Sequence, residues 1–336
     1  MRALVMTAPG GSEFSEIAEL EAPRPGPGEV TIDVAYAGVN FMDVMARRGD
    51  PGYARSWPYV AGIEVSGTVR EVGAGVTALS AGERVAAVTP GGGFAEVALA
   101  RAELAARVPA ELPLDRASAA PTGLATALLL IDVARFAPGD SVLVHSASGG
   151  LGGALARVLR HRGAGRLIGT VGRPDKVAVA EKSGYDKAIA RDDTTAEAIL
   201  RANGGRGVQI ILDPLGTSAL ELDLEVVAAG GAIVLFGNAP GGAPAPLPPA
   251  GRLIGGNITV SGFSHRGLSA AAPDRVSDAL HRALDLVAAE HIALPVTVLD
   301  SLAEIPEVHQ LMAEGRGTGK YVVRVAGAAP ARGSAL

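Results

Sequence analysis

The stretch Asp140-Ser141-Val142-Leu143-Val144-His145-Ser146-Ala147-Ser148-Gly149-Gly150-Leu151-Gly152-Gly153 decides the fold. An apolar run enters a glycine-rich turn, and a helical pattern leaves it with Leu151, Ala154, Leu155, Val158 and Leu159 on one face. A second apolar run, Leu167–Val171, follows at the spacing of a strand–helix–strand unit. Without β-carbons, the turn lets backbone N–H groups approach a pyrophosphate, and the positive end of the helix favours its charge. A purely structural turn would need the glycines but not the flanking strand, helix and second strand. A dinucleotide site at Ser148, Gly149, Gly150 and Leu151 is therefore expected.

The tip of the second strand selects the cofactor. NAD-specific sites place an acid there to hydrogen-bond the ribose 2′-hydroxyl. This chain has Gly172-Arg173-Pro174-Asp175-Lys176, in which Arg173 and Lys176 attract a 2′-phosphate and Asp175 is expected to point along the helix start. NADPH is the expected cofactor; the plainer reading of the two cations is a solvated helix end.

Working outward, strands alternate with helices from about Ala117: Ser141–His145, Leu167–Val171, Val208–Leu212 and Ala232–Phe236, with helices from Leu151 and near Asp175–Lys182. That alternation predicts a doubly wound parallel sheet, an α/β fold. Before it, short β-like runs (Arg2–Met6, Glu29–Ala37, Val65–Val72, Arg84–Val88) lie between glycine and proline turns. After it come a Pro/Gly-rich loop, Asn238–Gly251, an apolar run near Ile258–Phe263 and a helix, Ala271–Glu290. That helix shows Val276, Ala279, Leu280, Ala283, Leu284 and Val287 at helical spacing. A helix at Ile305–Glu314 and a strand at Tyr321–Val325 follow, and the small, polar tail Gly327–Leu336 is expected to be disordered.

Composition narrows the classes. The chain has 336 residues, 48% hydrophobic and 19% charged, which fits two domains with substantial cores. A net charge of -5 without a basic stripe argues against nucleic acid as a partner. There is no cysteine, which removes disulfides, thiolate nucleophiles and cysteine zinc sites. The most apolar stretch, Ala117–Ile131, is too short and interrupted to span a bilayer, so no membrane partner and a cytoplasmic location are expected.

Several motifs then resemble one family. Ser146-Ala147-Ser148-Gly149-Gly150-Leu151-Gly152 resembles the phosphate loop of zeta-crystallin-like quinone oxidoreductases, the zinc-free medium-chain dehydrogenases/reductases. Gly38-Val39-Asn40-Phe41-Met42-Asp43, Pro58 to Gly67, Gly82-Glu83-Arg84-Val85, Asp213-Pro214-Leu215-Gly216, Phe236-Gly237-Asn238 and Gly319-Lys320-Tyr321-Val322-Val323 are similar to family motifs in the same order. The resemblance implies a GroES-like, mostly-β catalytic domain (1–120 and 265–330) interrupted by a Rossmann NADP-binding domain (121–264), with a tail at 331–336. It also implies a cofactor between the domains and a homodimer.

The superfamily's alcohol dehydrogenases hold zinc through Cys, His and Cys. The first two positions here carry Asn40 and Ile63, and the six histidines look scattered, most of them at the surface or at helix ends, so no metal site is expected. Without a Lewis acid, alcohol oxidation loses its means of stabilising an alkoxide. A quinone or conjugated enone is the acceptor that the resemblance implies. By the same resemblance, Asn40 lies near the nicotinamide, bonding acceptor or ribose, and Tyr53 falls in a loop over the substrate. Phe236, Gly237, Asn238, Phe263 and Ser264 border the cofactor, Lys176 and Arg191 meet the adenosine phosphate, and Arg316 and Lys320 touch the cofactor. Two alternatives stay open. One is an enoyl reductase acting on a polyketide-like or thioester-linked intermediate, against which Ala219 and Pro240 stand where a Lys/Asp pair is common. The other is a non-catalytic NADPH-binding redox sensor.

Overall fold

A computed structural model describes residues 1–54 and 56–325; the tail expected to be disordered lies outside the described residues. Two compact units emerge, Met1–Ala125 with the chain from Ala272 onward, and Thr126–Ala271. The chain thus changes unit a few residues beyond 120 and 264.

The first unit opens with β1 (Arg2–Met6), β2 (Ser15–Glu19), β3 (Glu29–Val39), α1 (Phe41–Arg48) and β4 (Tyr59–Val60). It continues through β5 (Glu64–Val72), β6 (Arg84–Val88), β7 (Val97–Arg101), β8 (Ala105–Arg107) and α2 (Leu114–Ala117), and α3 (Ala125–Val133) leads out of it. The second unit holds β9 (Val142–Val144), α4 (Gly150–His161), β10 (Leu167–Val171), α5 (Val177–Lys182), β11 (Lys187–Ala190) and α6 (Thr195–Ala202). It ends with β12 (Val208–Asp213), α7 (Leu220–Val226), β13 (Val227–Leu235), α8 (Ala250–Gly256), β14 (Thr259–Gly262) and α9 (His265–Ala271). The chain then returns to the first unit as α10 (Pro273–Ala288), β15 (Val296–Leu299), α11 (Ile305–Ala313) and β16 (Lys320–Arg324).

The second unit is a six-stranded parallel sheet in the order β11-β10-β9-β12-β13-β14. Val142–Val144 pair with Leu167–Gly169 on one side and Ile210–Leu212 on the other, so β9 is central. Buried on both faces, the inner strands are continuous apolar runs, and Leu143, Ile168, Ile211 and Ile233 share one core. Between β9 and β12 the winding direction reverses, the place where open α/β sheets leave a crevice at their carboxyl ends. The first unit pairs β15-β16-β3-β5-β6-β8, with β7 also on β3, and a three-stranded sheet β2-β1-β4. Met6, Ile32, Val65, Phe94 and Val323 are buried in its core. Helix α10 buries Val276, Ala279, Leu280, Ala283, Leu284 and Val287, the six positions picked out by periodicity. The doubly wound sheet and the mostly-β unit are the expected fold. Among the described residues no helix is long and apolar enough to cross a membrane.

Three of the six histidines are buried: His145 directly after β9, His265 at the start of α9 and His309 within α11. His309, on α11, packs its ring 6.0 Å from Phe94, with no hydrogen-bond partner for either nitrogen among the described residues. Burial, reinforced by the charge of Arg47, pushes its pKa down to about 3. The unfolded chain takes up a proton there near the ordinary value of 6.5. The stability from keeping this ring neutral is therefore complete above that pH and is lost progressively as pH falls toward about 3.

Two predictions follow from this packing. A Cβ on Gly152 would lie 2.5 Å from the Ser146 carbonyl oxygen and 2.7 Å from that of Ala147, whereas one on Gly153 meets side chains alone, the Arg157 guanidinium at 3.1 Å and the Ser183 hydroxyl at 3.8 Å. Gly152→Ala should cost about 1–3 kcal/mol in unfolding measurements, and Gly153→Ala should be neutral or stabilising; equal effects would contradict the close approach of α4 to the turn. His309→Leu should flatten the acid limb of a Tm–pH curve, and an unchanged limb would refute the assignment to His309.

Candidate active site

In the second unit, the turn between β9 and α4 begins at Ser146, which takes a left-handed φ of 56°. The Ala147 amide donates to the Thr170 carbonyl at 2.9 Å, which ties the turn to β10. Gly149 is the N-cap of α4 and brings no capping side chain. First-turn amides have no intrahelical acceptor, so those of Gly150 and Leu151 remain available to an anion. Ser148 is buried beside them, and the absent β-carbon of Gly152 lets the helix lie against the turn.

At the tip of β10 the cations divide. Arg173 is about half exposed and pairs with Asp175, Nε to Oδ1 at 3.1 Å. Asp175 therefore answers Arg173 rather than pointing along the helix start, which weakens Arg173 as a phosphate ligand. Lys176 is buried, and desolvation lowers its pKa. Arg191 follows β11, its amide donating to the Val171 carbonyl at 2.9 Å. Its guanidinium lies over Gly172, where a Cβ would stand 3.2 Å from Nη2. Nη1 donates to Thr170 Oγ1 at 3.3 Å. Burial lowers the Arg191 pKa while the charge of Asp213 opposes that shift. No carboxylate among the described residues pairs with it. A half-buried guanidinium without a salt bridge, beside a residue with no side chain, suits a phosphate, so the residues present fit a 2′-phosphorylated dinucleotide.

Behind this edge His145, Asp213 and Asp223 bring potential metal-ligating atoms within 4.8 Å of one another, a grouping that sequence reading missed. His145 Nε2 stands 2.7 Å from Asp223 Oδ1, a hydrogen-bond separation. Asp213 accepts the Leu215 amide at 2.5 Å, and burial together with Asp223 pushes its pKa up to about 7. The next loop packs closely here: Phe236 donates its amide to the Asp213 carbonyl at 2.9 Å, and a Cβ on Gly237 would lie 2.5 Å from the Pro214 oxygen. Asn238 uses its side-chain N–H on the Gly242 carbonyl. Phe263 is half-buried after β14, and the exposed Ser264 accepts the Gly267 amide through Oγ at 3.0 Å.

The first unit builds its polar centre around Asn40, the N-cap of α1. β16 runs antiparallel to β3 with Tyr321 opposite Val39, so Lys320 arrives beside Asn40. The Lys320 ammonium donates to the Val39 carbonyl at 2.9 Å, to Asn40 Oδ1 at 2.8 Å and to the Glu64 carboxylate. Asn40 Nδ2 donates to Glu64 Oε1 at 2.9 Å and to the Gly38 carbonyl at 3.2 Å. Glu64 Oε2 accepts the Thr122 amide at 2.7 Å. A Cβ at Gly38 would lie 2.2 Å from Glu64 Oε1, so that glycine makes room for the carboxylate. Asp43 accepts the amides of Asn40 and Gly62, and burial nevertheless raises its pKa to about 7.

Two residues expected to touch the cofactor differ in setting. Lys320 is 7% exposed and all three of its protons are engaged. Arg316, grouped with it from sequence, lies in the exposed turn after α11 and pairs with Glu314 at 3.0 Å, because the turn faces outward while β16 enters the sheet. Tyr53 lies half-buried in the turn after α1, its amide donating to the Asp50 carbonyl at 3.3 Å.

Comparison with known proteins agrees with both halves. Residues 26–110 match the alcohol dehydrogenase GroES-like domain, and residues 150–285 match the zinc-binding dehydrogenase family. A 2-haloacrylate reductase of Burkholderia is 34% identical over 246 residues, 71% of this chain and 74% of that protein. A probable quinone oxidoreductase of Schizosaccharomyces pombe is 36% identical over 234 residues, 69% of this chain and 70% of that one. The solved Escherichia coli quinone oxidoreductase, complexed with NADPH, is 26% identical and superposes with a TM-score of 0.88 over 97% of this chain and all of its own. With no cysteine in the chain to ligate zinc, the protein belongs to the zinc-free, quinone oxidoreductase-like branch of the medium-chain dehydrogenases/reductases.

Proposed function

We propose that the protein is an NADPH-dependent reductase of quinones or conjugated enones, and the observation that carries this reading is Arg191. A half-buried guanidinium without a carboxylate partner, over Gly172 and beside an uncapped glycine turn, is suited to the 2′-phosphate that distinguishes NADPH from NADH. When bound, the cofactor supplies a hydride to an acceptor that is already electrophilic. Ser148, Gly149, Gly150 and Leu151 would hold the pyrophosphate, Gly172, Arg191 and Lys176 the adenosine phosphate, and Phe236, Gly237, Asn238, Phe263 and Ser264 the remainder. The relatives' acceptors, a 2-haloacrylate and quinones, are conjugated electrophiles, which supports the acceptor class proposed here.

Asn40 has a narrower role than a general hydrogen-bond donor. Both of its N–H groups are engaged by Glu64 and Gly38, and one lone pair of Oδ1 by Lys320. With both N–H groups taken, Asn40 has no proton left to donate to a developing oxyanion, and its role is to hold the polar centre beside the cofactor. Lys320 and Glu64 hold its amide in that orientation. Tyr53 is proposed to line the acceptor pocket, where its phenol would orient the acceptor. A homodimer belongs to the proposal. β14 ends the six-stranded sheet, and Leu247 and Ile254 are exposed nearby in sequence, which supports an apolar contact with a second copy.

The direct test follows the loss of reduced nicotinamide with one-ring and two-ring quinones, α,β-unsaturated ketones and a thioester-linked enoyl substrate, using NADPH and NADH in parallel. Turnover of quinone or free enone with NADPH strongly preferred is expected; preference for NADH, or turnover of the thioester alone, would overturn the reading. The Asn40 framework has its own check. Lys320→Met should destabilise the protein by about 3–5 kcal/mol by stranding buried Glu64, and Glu64→Gln in the same chain should recover a large part of that loss. Additive losses in thermal unfolding would show that the two groups do not act as a pair.

A further inference from the structure

We propose that Thr170 is a specificity-determining positioning residue, which aims Arg191 at the cofactor's 2′-phosphate and is itself oriented by His145 and Asp223. The inference rests on the assignment of Arg191 to the 2′-phosphate and adds what makes that arginine selective. Thr170 is fully buried on β10, two residues before Gly172. Its hydroxyl oxygen lies 3.3 Å from Arg191 Nη1 and 2.6 Å from His145 Nδ1. The other nitrogen of that ring, Nε2, lies 2.7 Å from Asp223 Oδ1.

The directions of these bonds follow from the atoms. An arginine N–H only donates and an ionised carboxylate only accepts. With the imidazole donating from Nε2 to Asp223, the tautomer on which the proposal rests, Nδ1 is the acceptor on the Thr170 side. Nδ1 takes the single Thr170 hydroxyl proton, and the Thr170 lone pairs turn toward Arg191. The chain thus runs one way: Arg191 to Thr170, Thr170 to His145, His145 to Asp223. Aligned bonds of this kind reinforce one another in a low-dielectric interior.

The charges around the chain have the matching sign. Asp213 on β12 and Asp223 on α7 lie behind His145, and the negative field of Asp213 opposes the desolvation of Arg191. The guanidinium is pinned by Nη1 and by its fit over Gly172, while no carboxylate among the described residues neutralises it. A pinned, uncompensated cation discriminates a phosphate from a hydroxyl better than a mobile one, because less side-chain entropy is lost on binding. Arg173, exposed and paired with Asp175, lacks both properties.

The test uses the intact protein and compares binding and turnover with NADPH and NADH. Thr170→Val keeps the side-chain shape but removes the hydroxyl; KM and Kd for NADPH should rise about tenfold, with kcat at saturating NADPH and the constants for NADH within about twofold. Thr170→Ser should restore NADPH binding, and Thr170→Ala replaces the valine variant if that chain does not fold. Unchanged preference for NADPH in both hydroxyl-free variants, or equal weakening toward NADPH and NADH, overturns the proposal. Arg191→Ala separates the two layers: loss of NADPH preference there, without loss in Thr170→Val, sinks only the positioning role. Retention of preference in Arg191→Ala sinks the phosphate assignment itself.

Discussion

The Lys320 ammonium is buried, and the polar centre of the mostly-β unit is built to compensate it. An ion withdrawn from water is tolerable only when its charge is matched and each of its protons has an acceptor. Glu64 supplies the charge, and Val39 and Asn40 supply the other acceptors. This requirement explains residues with no chemistry of their own. Gly38 is small because the Glu64 carboxylate occupies the space of a β-carbon, and Thr122 directs its amide at the second Glu64 oxygen. It also explains why the last described strand returns to the first unit. β16 delivers the cation to β3, whose end carries the asparagine that the cation orients.

The parallel sheet meets a related constraint with a different result. At the carboxyl ends of β9, β10 and β11 the chain places uncapped amides, a glycine at the tip of β10 and an arginine that pairs with no carboxylate among the described residues. Directly behind that positive edge sit two carboxylates and an imidazole, wholly buried. Such a cluster costs stability, visible in Asp213, whose carboxyl is pushed up to about 7. Its return is a fixed pattern of donors and acceptors that reaches the nucleotide-binding edge through one threonine. Function here rests on a buried polar chain, although Asp213 Oδ2 and Asp223 Oδ2 have no hydrogen-bond partner among the described residues.

Features with a local period were legible from the chain itself. The glycine turn sits between its strand and helix as read, and the buried face of α10 is the set of six apolar residues at helical spacing. Short strands such as β2, β7 and β8 were not legible, since two or three alternations carry little signal and their partners lie far along the chain. The Lys320–Glu64 pair joins residues 256 apart, so no spacing rule exposes it. Lys320 was consequently grouped with Arg316 as a residue that touches the cofactor, although the chain buries one and leaves the other in water. The cofactor cations show the same limit. Arg173 stands at the right place in sequence, but Asp175 pairs with it. Arg191, at the end of the next strand, has the geometry. His145 was hidden for a further reason: a histidine before a glycine turn reads as a strand end, and only the folded sheet shows Thr170 and Asp223 on its two sides.

The central claim is direct transfer of hydride from NADPH to a conjugated acceptor, with orientation supplied by protein side chains. Its most direct measurement follows deuterium from the reactive position of labelled NADPH into the product of a conjugated enone. The account predicts one deuterium at the β-carbon from a single face of the nicotinamide, with the neighbouring carbon protonated from solvent and the rate unaffected by a chelator. Loss of the label to solvent, or no enrichment at carbon while NADPH is consumed, would contradict it.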